Sequence, residues 1–165
     1  MKSEDEDLPV IGWREWVKLP DLNVGAIKAK VDTGARSSCL HAYDVKVVDG
    51  DSVGGSSRVR FKVVPRQGAE EPFVQVEATL LEYREIRSST GHKTNRPVIR
   101  TPIRVAGRLF EIDLTLVDRS EMGFRMLLGR EALRGRFTVD PARSYAGRKA
   151  KRKTQDPDHS GKQEN

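Results

Sequence analysis

The chain reads as an all-β domain, a barrel or sandwich of short strands, on three observations. Apolar and polar residues alternate over several runs, turn residues recur between those runs, and helix-forming stretches are scarce. No internal repeat is visible.

The elements follow in order. Residues 10–17 predict a strand, and Pro20, Asp21, Leu22 and Asn23 a turn. Ile27, Ala29 and Val31 alternate with Lys28 and Lys30, which predicts a half-buried strand that delivers Asp32 into an Asp-Thr-Gly turn. Residues 44–48 predict a further strand, followed by a Gly/Ser loop over 49–55. Val59, Phe61 and Val63 alternate with Arg58, Arg60 and Lys62, and the pattern resumes at Val74, Val76, Ala78 and Leu80 after a turn at Gln67-Gly68. Ile103 and Val105 lead into a hairpin signal at Ala106-Gly107-Arg108, and Phe110, Ile112, Leu114 and Leu116 return. Met126-Leu127-Leu128 reads as an apolar strand that runs into Gly129-Arg130 and a short helix at Glu131-Ala132-Leu133.

Composition bounds the rest. A chain of 165 residues can bury one sizeable core, and 33% charged residues give it a heavily charged surface. No apolar run is long enough to span a bilayer, so no membrane role is expected. Residues 1–8 are acidic, net −3, and lack the apolar core of a secretory signal. Cys39 is the single cysteine, which excludes an intrachain disulfide; both facts favour a cytoplasmic setting. Residues 141–165 carry net +4 and little to bury. The expected organisation is a disordered acidic segment at 1–8, one domain at 9–142, and a disordered basic tail at 143–165. That tail reads either as a weak nucleic-acid or ribosome-affinity patch or as a solubilising extension.

Asp32 is the first candidate for chemistry. A carboxylate held by a strand end and a tight Thr-Gly turn has the rigidity an acid/base catalyst needs, although the same three residues are common turn formers. Residues 87–96 carry no apolar residue and a central glycine, which suits an exposed, mobile β-hairpin.

Asp32-Thr33-Gly34-Ala35, with Leu127-Leu128-Gly129-Arg130-Glu131-Ala132-Leu133 about a hundred residues later, resembles the retropepsin type of aspartic protease. Ile11-Gly12-Trp13-Arg14-Glu15, residues 29–36, Leu40-His41-Ala42 and Arg96-Pro97-Val98-Ile99 narrow the resemblance to a bacterial family. Its members are labelled retropepsin-like or "ATP-dependent zinc protease" and are similar to RimB; the likeness covers roughly residues 10–142. Ser38-Cys39 departs slightly from the family pattern. The resemblance implies a retropepsin-like closed β-barrel with one short C-terminal helix. The strand before that helix would thread between the arms of the catalytic loop, and Phe137-Thr138-Val139 would be the last strand. It further implies that Asp32 is catalytic, that Thr33 braces the loop through its hydroxyl, and that Gly34 permits close approach to another chain. Gly129 and Arg130 would support the loop, Arg130 through a nearby carboxylate or backbone carbonyl. The hairpin would be a flap over substrate, with Ala35, Arg36, Arg87, Ser88, Ser89, Thr90, Gly91, His92, Lys93 and Arg96 in contact with it.

The "zinc" and "ATP" of that label find no motif here. The chain has no His-Glu-x-x-His, no Cys pair and no phosphate-binding loop, and His41, His92 and His159 lie far apart. No metal and no cofactor are expected; His41 reads as a structural histidine or one facing the cleft.

Aspartic proteolysis needs two carboxylates that share a proton. The chain offers one Asp-Thr-Gly, with Asp113 and Asp140 as spare carboxylates in weaker contexts. A homodimer that supplies Asp32 twice is the simplest solution. Arg84, Arg87, Lys93, Arg96, Arg100 and Arg104 outnumber Glu82 and Glu85 across 82–104, and Arg36 follows the catalytic turn. Such a cleft would favour acidic peptides, unless these cations simply point outward along solvated strands. The family's likeness in setting to proteins that accompany ATP-grasp glutamate ligases suggests Glu-rich peptides or glutamate tails, with such a ligase as functional partner. Two other classes stay open. One is a non-hydrolytic basic-cleft module that regulates a glutamate ligase or the ribosome, against which the intact Asp-Thr-Gly argues. The other is an RNA-associated protein; nucleic acid is disfavoured by the lack of an aromatic stacking motif.

Overall fold

The alternation of apolar residues becomes a closed barrel because the barrel strands all bury apolar residues in a single core. A computed structural model describes residues 8–48, 57–118 and 123–147. Its elements are β1 (Val10–Ile11), β2 (Arg14–Leu19), β3 (Val24–Val31), β4 (Ser38–His41), β5 (Tyr43–Val48), β6 (Arg58–Val63), β7 (Val74–Thr79), β8 (Glu82–Arg87), β9 (Lys93–Val105), β10 (Arg108–Val117), β11 (Met126–Leu128), helix α1 (Arg130–Leu133) and β12 (Thr138–Val139). Around the barrel the order is β10-β4-β11-β3-β2-β9, and β9 closes the ring by pairing antiparallel with β10. The expectation of an all-β closed barrel with one short C-terminal helix holds.

Three connections position the site. β11 lies between β3 and β4, parallel to the first and antiparallel to the second, so it does thread between the arms of the loop that carries Asp32. β9 runs for 13 residues; its second half belongs to the barrel, while its first half pairs with β8 as a projecting hairpin. β5, β6 and β7 form a separate antiparallel sheet whose Val59, Phe61 and Val63 reach the same core as Ile27, Leu40, Ile99 and Leu114. Ala106 and Gly107 both have positive φ, which makes the β9–β10 connection the tight hairpin that the sequence predicts.

Several boundaries differ from expectation. The single strand over 10–17 is broken at Gly12-Trp13 into β1 and β2. Glu15 Oε2 accepts the Gly12 N–H at 2.7 Å, and the Trp13 N–H donates to the Arg143 carbonyl at 2.9 Å rather than to a neighbouring strand. A side chain at Gly12 would lie on that same carbonyl. The predicted turn at 20–23 is a 3-10 turn, Pro20–Leu22, closed by Asn23 in the left-handed region. β4 went unpredicted; Ser38, Leu40 and His41 are all buried, so no alternation marks it. The tail predicted to begin at 143 is corrected in its first five residues. Tyr145 stacks on Trp16 with ring centroids 5.7 Å apart, its N–H donates to the Arg14 carbonyl, and the Ala146 and Gly147 N–H groups donate to the Glu15 carboxylate. The acidic segment at 1–7, the Gly/Ser loop and the tail from 148 on lie outside the described residues. Among the described residues no helix is long and apolar enough to cross a membrane.

Candidate active site

Asp32 stands at the end of β3, where the strand leaves the barrel. Its N–H donates to the Leu128 carbonyl of β11 at 2.9 Å, so the threaded strand fixes the start of the loop. The chain then turns so that the Gly34 and Ala35 N–H groups both donate to Asp32 Oδ1, at 2.9 and 3.2 Å. Among the described residues Oδ2 has no partner. One carboxylate oxygen is thus oriented by two backbone amides while the other is open to a ligand.

The second motif clamps this loop from below. The Arg130 N–H donates to the Ala35 carbonyl at 2.6 Å, and the Gly129 N–H to Ser38 Oγ at 2.9 Å. The Arg130 guanidinium donates to the Thr33 and Gly34 carbonyls at 3.2 and 3.4 Å, so of the two anchors open to it the backbone is the one used. A Cβ at Gly129 would fall on the Ser37 carbonyl, which explains glycine there. Gly34 differs. Its φ is not positive, and a Cβ would meet only Asp32 Oδ1 at 3.4 Å. Nothing within one chain requires glycine at 34, and Thr33 and Gly34 are both exposed.

A cleft of about 870 Å³ opens over Asp32. Its floor is Asp32, Gly34, Ala35 and Arg36 from the loop, with Ser37, Cys39, Thr115, Leu127 and Glu131 beside them; residues 84–89 and Arg96 of the hairpin form the wall. The expected site residues therefore divide. Asp32, Gly34, Ala35, Arg36, Arg87, Ser88, Ser89 and Arg96 line the cleft. Thr33, Gly129 and Arg130 hold the loop without lining it. Thr90, Gly91, His92 and Lys93 form the hairpin tip, beyond the cleft lining. There Ser88 Oγ contacts Thr90 Oγ1 at 2.9 Å and accepts the His92 N–H at 3.2 Å, and Lys93 pairs with Glu85 at 3.7 Å. Sequence reasoning missed Ser37, Cys39, Glu85, Ile86, Thr115, Leu127 and Glu131 as lining residues, and it counted Arg84 among the cations of a basic cleft without naming it as a site residue. The run Ser38–His41 carries no alternation that could have placed Cys39 on the cleft, since only Cys39 of its four residues is not buried.

The cations of the cleft are not equivalent. Arg36 is paired with Glu131 at 3.0 Å. Arg84 is paired with Glu82 and, at 3.4 Å, with Asp113. Arg87 has no ion pair or side-chain hydrogen bond among the described residues. The spare carboxylates lie elsewhere. Asp113 pairs with Arg100 at 2.8 Å, and the hydrogen bond from that guanidinium, followed by its charge and by Arg84, holds the Asp113 carboxyl below its ordinary value. Asp140 accepts the Ala142 N–H and pairs with Arg143. Neither lines the cleft. His41 is buried, with Nδ1 3.2 Å from the Val117 carbonyl, and does not face the cleft. Among the described residues no three His, Cys, Asp or Glu side chains come together as metal ligands.

Comparison with known proteins gives three findings. The family model described as "RimB-like: Retropepsin-like aspartic endopeptidase RimB" matches residues 10–150. Two curated relatives, each named "Probable alpha-L-glutamate ligase", are 40% identical. The relative from Desulfotalea psychrophila aligns over 140 residues, 85% of this chain and 30% of its own length; that from Shewanella pealeana aligns over 136 residues, 82% and 29%. The chain thus spans about three tenths of the curated relatives it matches. A crystal structure of Lpg0085 from Legionella pneumophila, titled a protein of unknown function, superposes with a TM-score of 0.67 at 26% identity, covering 84% of this chain and 98% of that one.

Proposed function

The chain belongs to the RimB-like family of retropepsin-like aspartic endopeptidases, and from that premise we propose that it is an aspartic peptidase whose reacting group is Asp32. The observation that carries this reading is the carboxylate itself. It sits on the floor of a substrate-sized cleft with Oδ1 fixed by two amides and Oδ2 open. In the proposed reaction one carboxylate removes a proton from water as the water oxygen attacks the peptide carbonyl. A second carboxyl group, protonated, gives its proton to the carbonyl oxygen. The tetrahedral diol then collapses, the C–N bond breaks, and the amine leaves with a proton from the dyad. Among the described residues no second carboxylate without a basic partner lines the cleft of one chain, since Glu85 pairs with Lys93 and Glu131 with Arg36. A second copy would supply Asp32 again across a two-fold axis.

For substrate we propose acidic peptides, glutamate tails among them. The support is Arg87 without a partner on the cleft wall, Arg96 beside it, and relatives named as probable glutamate ligases. A ligase in those relatives would add residues that a domain like this one removes. A second reading has its own support. The matched region is under a third of those relatives' length, so it could act as a binding module that presents acidic tails to a ligase without cutting them.

Asp32→Asn with an oligoglutamate peptide library, read by mass spectrometry, separates the two. The peptidase reading expects cleavage by wild type and loss of about 10²-fold or more in the variant with binding retained. Binding by both proteins with cleavage by neither would leave the module reading.

A further inference from the structure

Most described cations near a carboxylate are paired with it: Arg36, Arg58, Arg60, Lys62, Arg84, Arg100 and Arg143 each have an acid within 3.4 Å. One face of the barrel breaks this habit. β11, whose Leu127 lines the cleft, is followed around the ring by β3, β2 and β9. On β2 the half-buried or exposed residues are Arg14, Trp16 and Lys18, and on β3 Gly25, Ala26, Lys28 and Lys30. Arg14 is opposite Lys30, Trp16 opposite Lys28, and Lys18 opposite Arg104 of β9. Like charges directly opposite one another across strands are unfavourable, so this stripe costs stability rather than adding to it.

Two shallow cavities open on either side of Trp16. One, of about 330 Å³, is lined by Trp16, Lys18, Ala26, Arg104, Ala106 and the backbone at 107 and 147. The other, of about 490 Å³, is lined by Trp16, Ala26, Lys28, Arg66, Gln67, Pro65 and Pro72. Neither contains an acid. Lys18, Lys30, Arg66 and Arg104 have no carboxylate partner among the described residues, and Lys28 Nζ lies 5.4 Å from the centre of the Trp16 ring. Gly147, where the described chain ends, lines the first cavity. The next six residues of the sequence include five cations, Arg148, Lys149, Lys151, Arg152 and Lys153.

We propose that this face, centred on Trp16 with Lys18, Lys28, Arg66 and Arg104, binds single-stranded RNA. Phosphates need point cations, and Lys18 opposite Arg104 supplies two across neighbouring strands, at the strand spacing of about 4.8 Å, with Lys28 and Arg66 beyond them. Bases and sugars need apolar surface between the charges, which Ala26, Pro65, Pro72 and the part of Trp16 that lines both cavities supply, Tyr145 being stacked on that ring already. An acidic peptide would use the cations but would leave that apolar floor uncovered. No basic-aromatic run exists in the sequence because the face is assembled from β2, β3, β9 and the turn at 65–72. The face is separate from Asp32, and the proposal does not rest on peptidase activity.

The test is fluorescence anisotropy of the full chain with a labelled 15-nucleotide polyuridine, over a salt series, with wild type and the Lys18→Glu/Arg104→Glu double variant. Lys18 is exposed and Arg104 half-buried at a cavity rim, so the variant should keep the circular dichroism of wild type. The expected result is a Kd raised about tenfold or more, with a log–log salt slope smaller by about 1.4, the share of two phosphate contacts on a single strand. A second full-chain variant, with the five cations of 148–153 changed to Gln, should retain part of the binding. Three results would overturn the proposal: unchanged binding in the double variant, binding lost wholly in the tail variant while the double variant binds as wild type, or polyglutamate of equal charge displacing the RNA at equal concentration. The last would assign the face to an acidic protein instead.

Discussion

At the scale of single residues the proposed chemistry rests on Asp32 and Arg87, and His41 gives the fold around them a pH dependence. If Arg87 holds a substrate carboxylate, Arg87→Glu should raise KM for glutamate-rich peptides by about tenfold, a charge-assisted hydrogen bond lost, and change KM for neutral peptides little. Equal effects on both peptide classes would return Arg87 to the solvated surface. His41 is a different kind of residue. It is buried, packs edge-on against Tyr43 with centroids 4.4 Å apart, and lies near the Arg125 guanidinium. Burial first, and Arg125 second, lower its pKa below the ordinary 6.5, against smaller opposing effects of the Val117 carbonyl and Asp118. The unfolded chain therefore binds a proton that the folded chain resists. Stability is fully present above about pH 6.5 and is lost as pH falls through that value toward the folded pKa. Urea unfolding at pH 7.5 and 5.5 should show this loss in wild type and a smaller one in His41→Gln; equal losses would put the acid sensitivity elsewhere. Asp32 was legible in the sequence because its whole local apparatus, strand end and Thr-Gly turn, is contiguous. Thr115 and Leu127 were not, because they reach the cleft through pairings with β4, which no alternation marks.

At the scale of elements, the segment at 143–147 behaves as a strap rather than a tail. Glu15 is 1% exposed and accepts N–H groups from Gly12, Ala146 and Gly147, so one buried carboxylate ties the start of β2 to the end of the described chain. Arg14 stacks between Trp13 and Tyr145 and donates to Ser144 Oγ, which closes the strap from outside. Glu15→Ala would leave three amides without their acceptor at a cost of about 2–4 kcal/mol, taking the usual penalty for buried donors that lose a charged partner. The same change should expose the peptide bond after Arg143 to trypsin under native conditions. A variant as stable and as resistant as wild type would reduce the carboxylate to a dispensable contact. Composition could not reveal the strap, since 143–147 holds a single aromatic and the partner is about 130 positions away in sequence. The threaded β11 and α1 were legible for the opposite reason, since Leu-Leu-Gly-Arg-Glu-Ala-Leu carries strand, break and helix in seven consecutive residues.

For the whole molecule, the proposed mechanism requires a second carboxylate, and Gly34 bears on its source. Gly129 is glycine because the Ser37 carbonyl occupies the space of a side chain; Gly34 has free space and no positive φ. A glycine with no internal reason, on an exposed loop beside an exposed Thr33, is accounted for if another chain approaches there. Arg130, whose guanidinium holds the Thr33 and Gly34 carbonyls, would keep both loops rigid as they meet. Gly34→Ala should then leave the unfolding midpoint of the isolated chain nearly unchanged while weakening association and activity together. For the wild type, specific activity should rise with protein concentration and level off above the dimer dissociation constant, in step with the sedimentation coefficient. Mixing wild type with excess Asp32→Asn should suppress activity beyond simple dilution, because mixed dimers carry one reacting carboxylate. A monomer that is fully active at every concentration, and indifferent to the added variant, would send the search for the second carboxylate back to Glu85 and Glu131 at the rim of the same cleft.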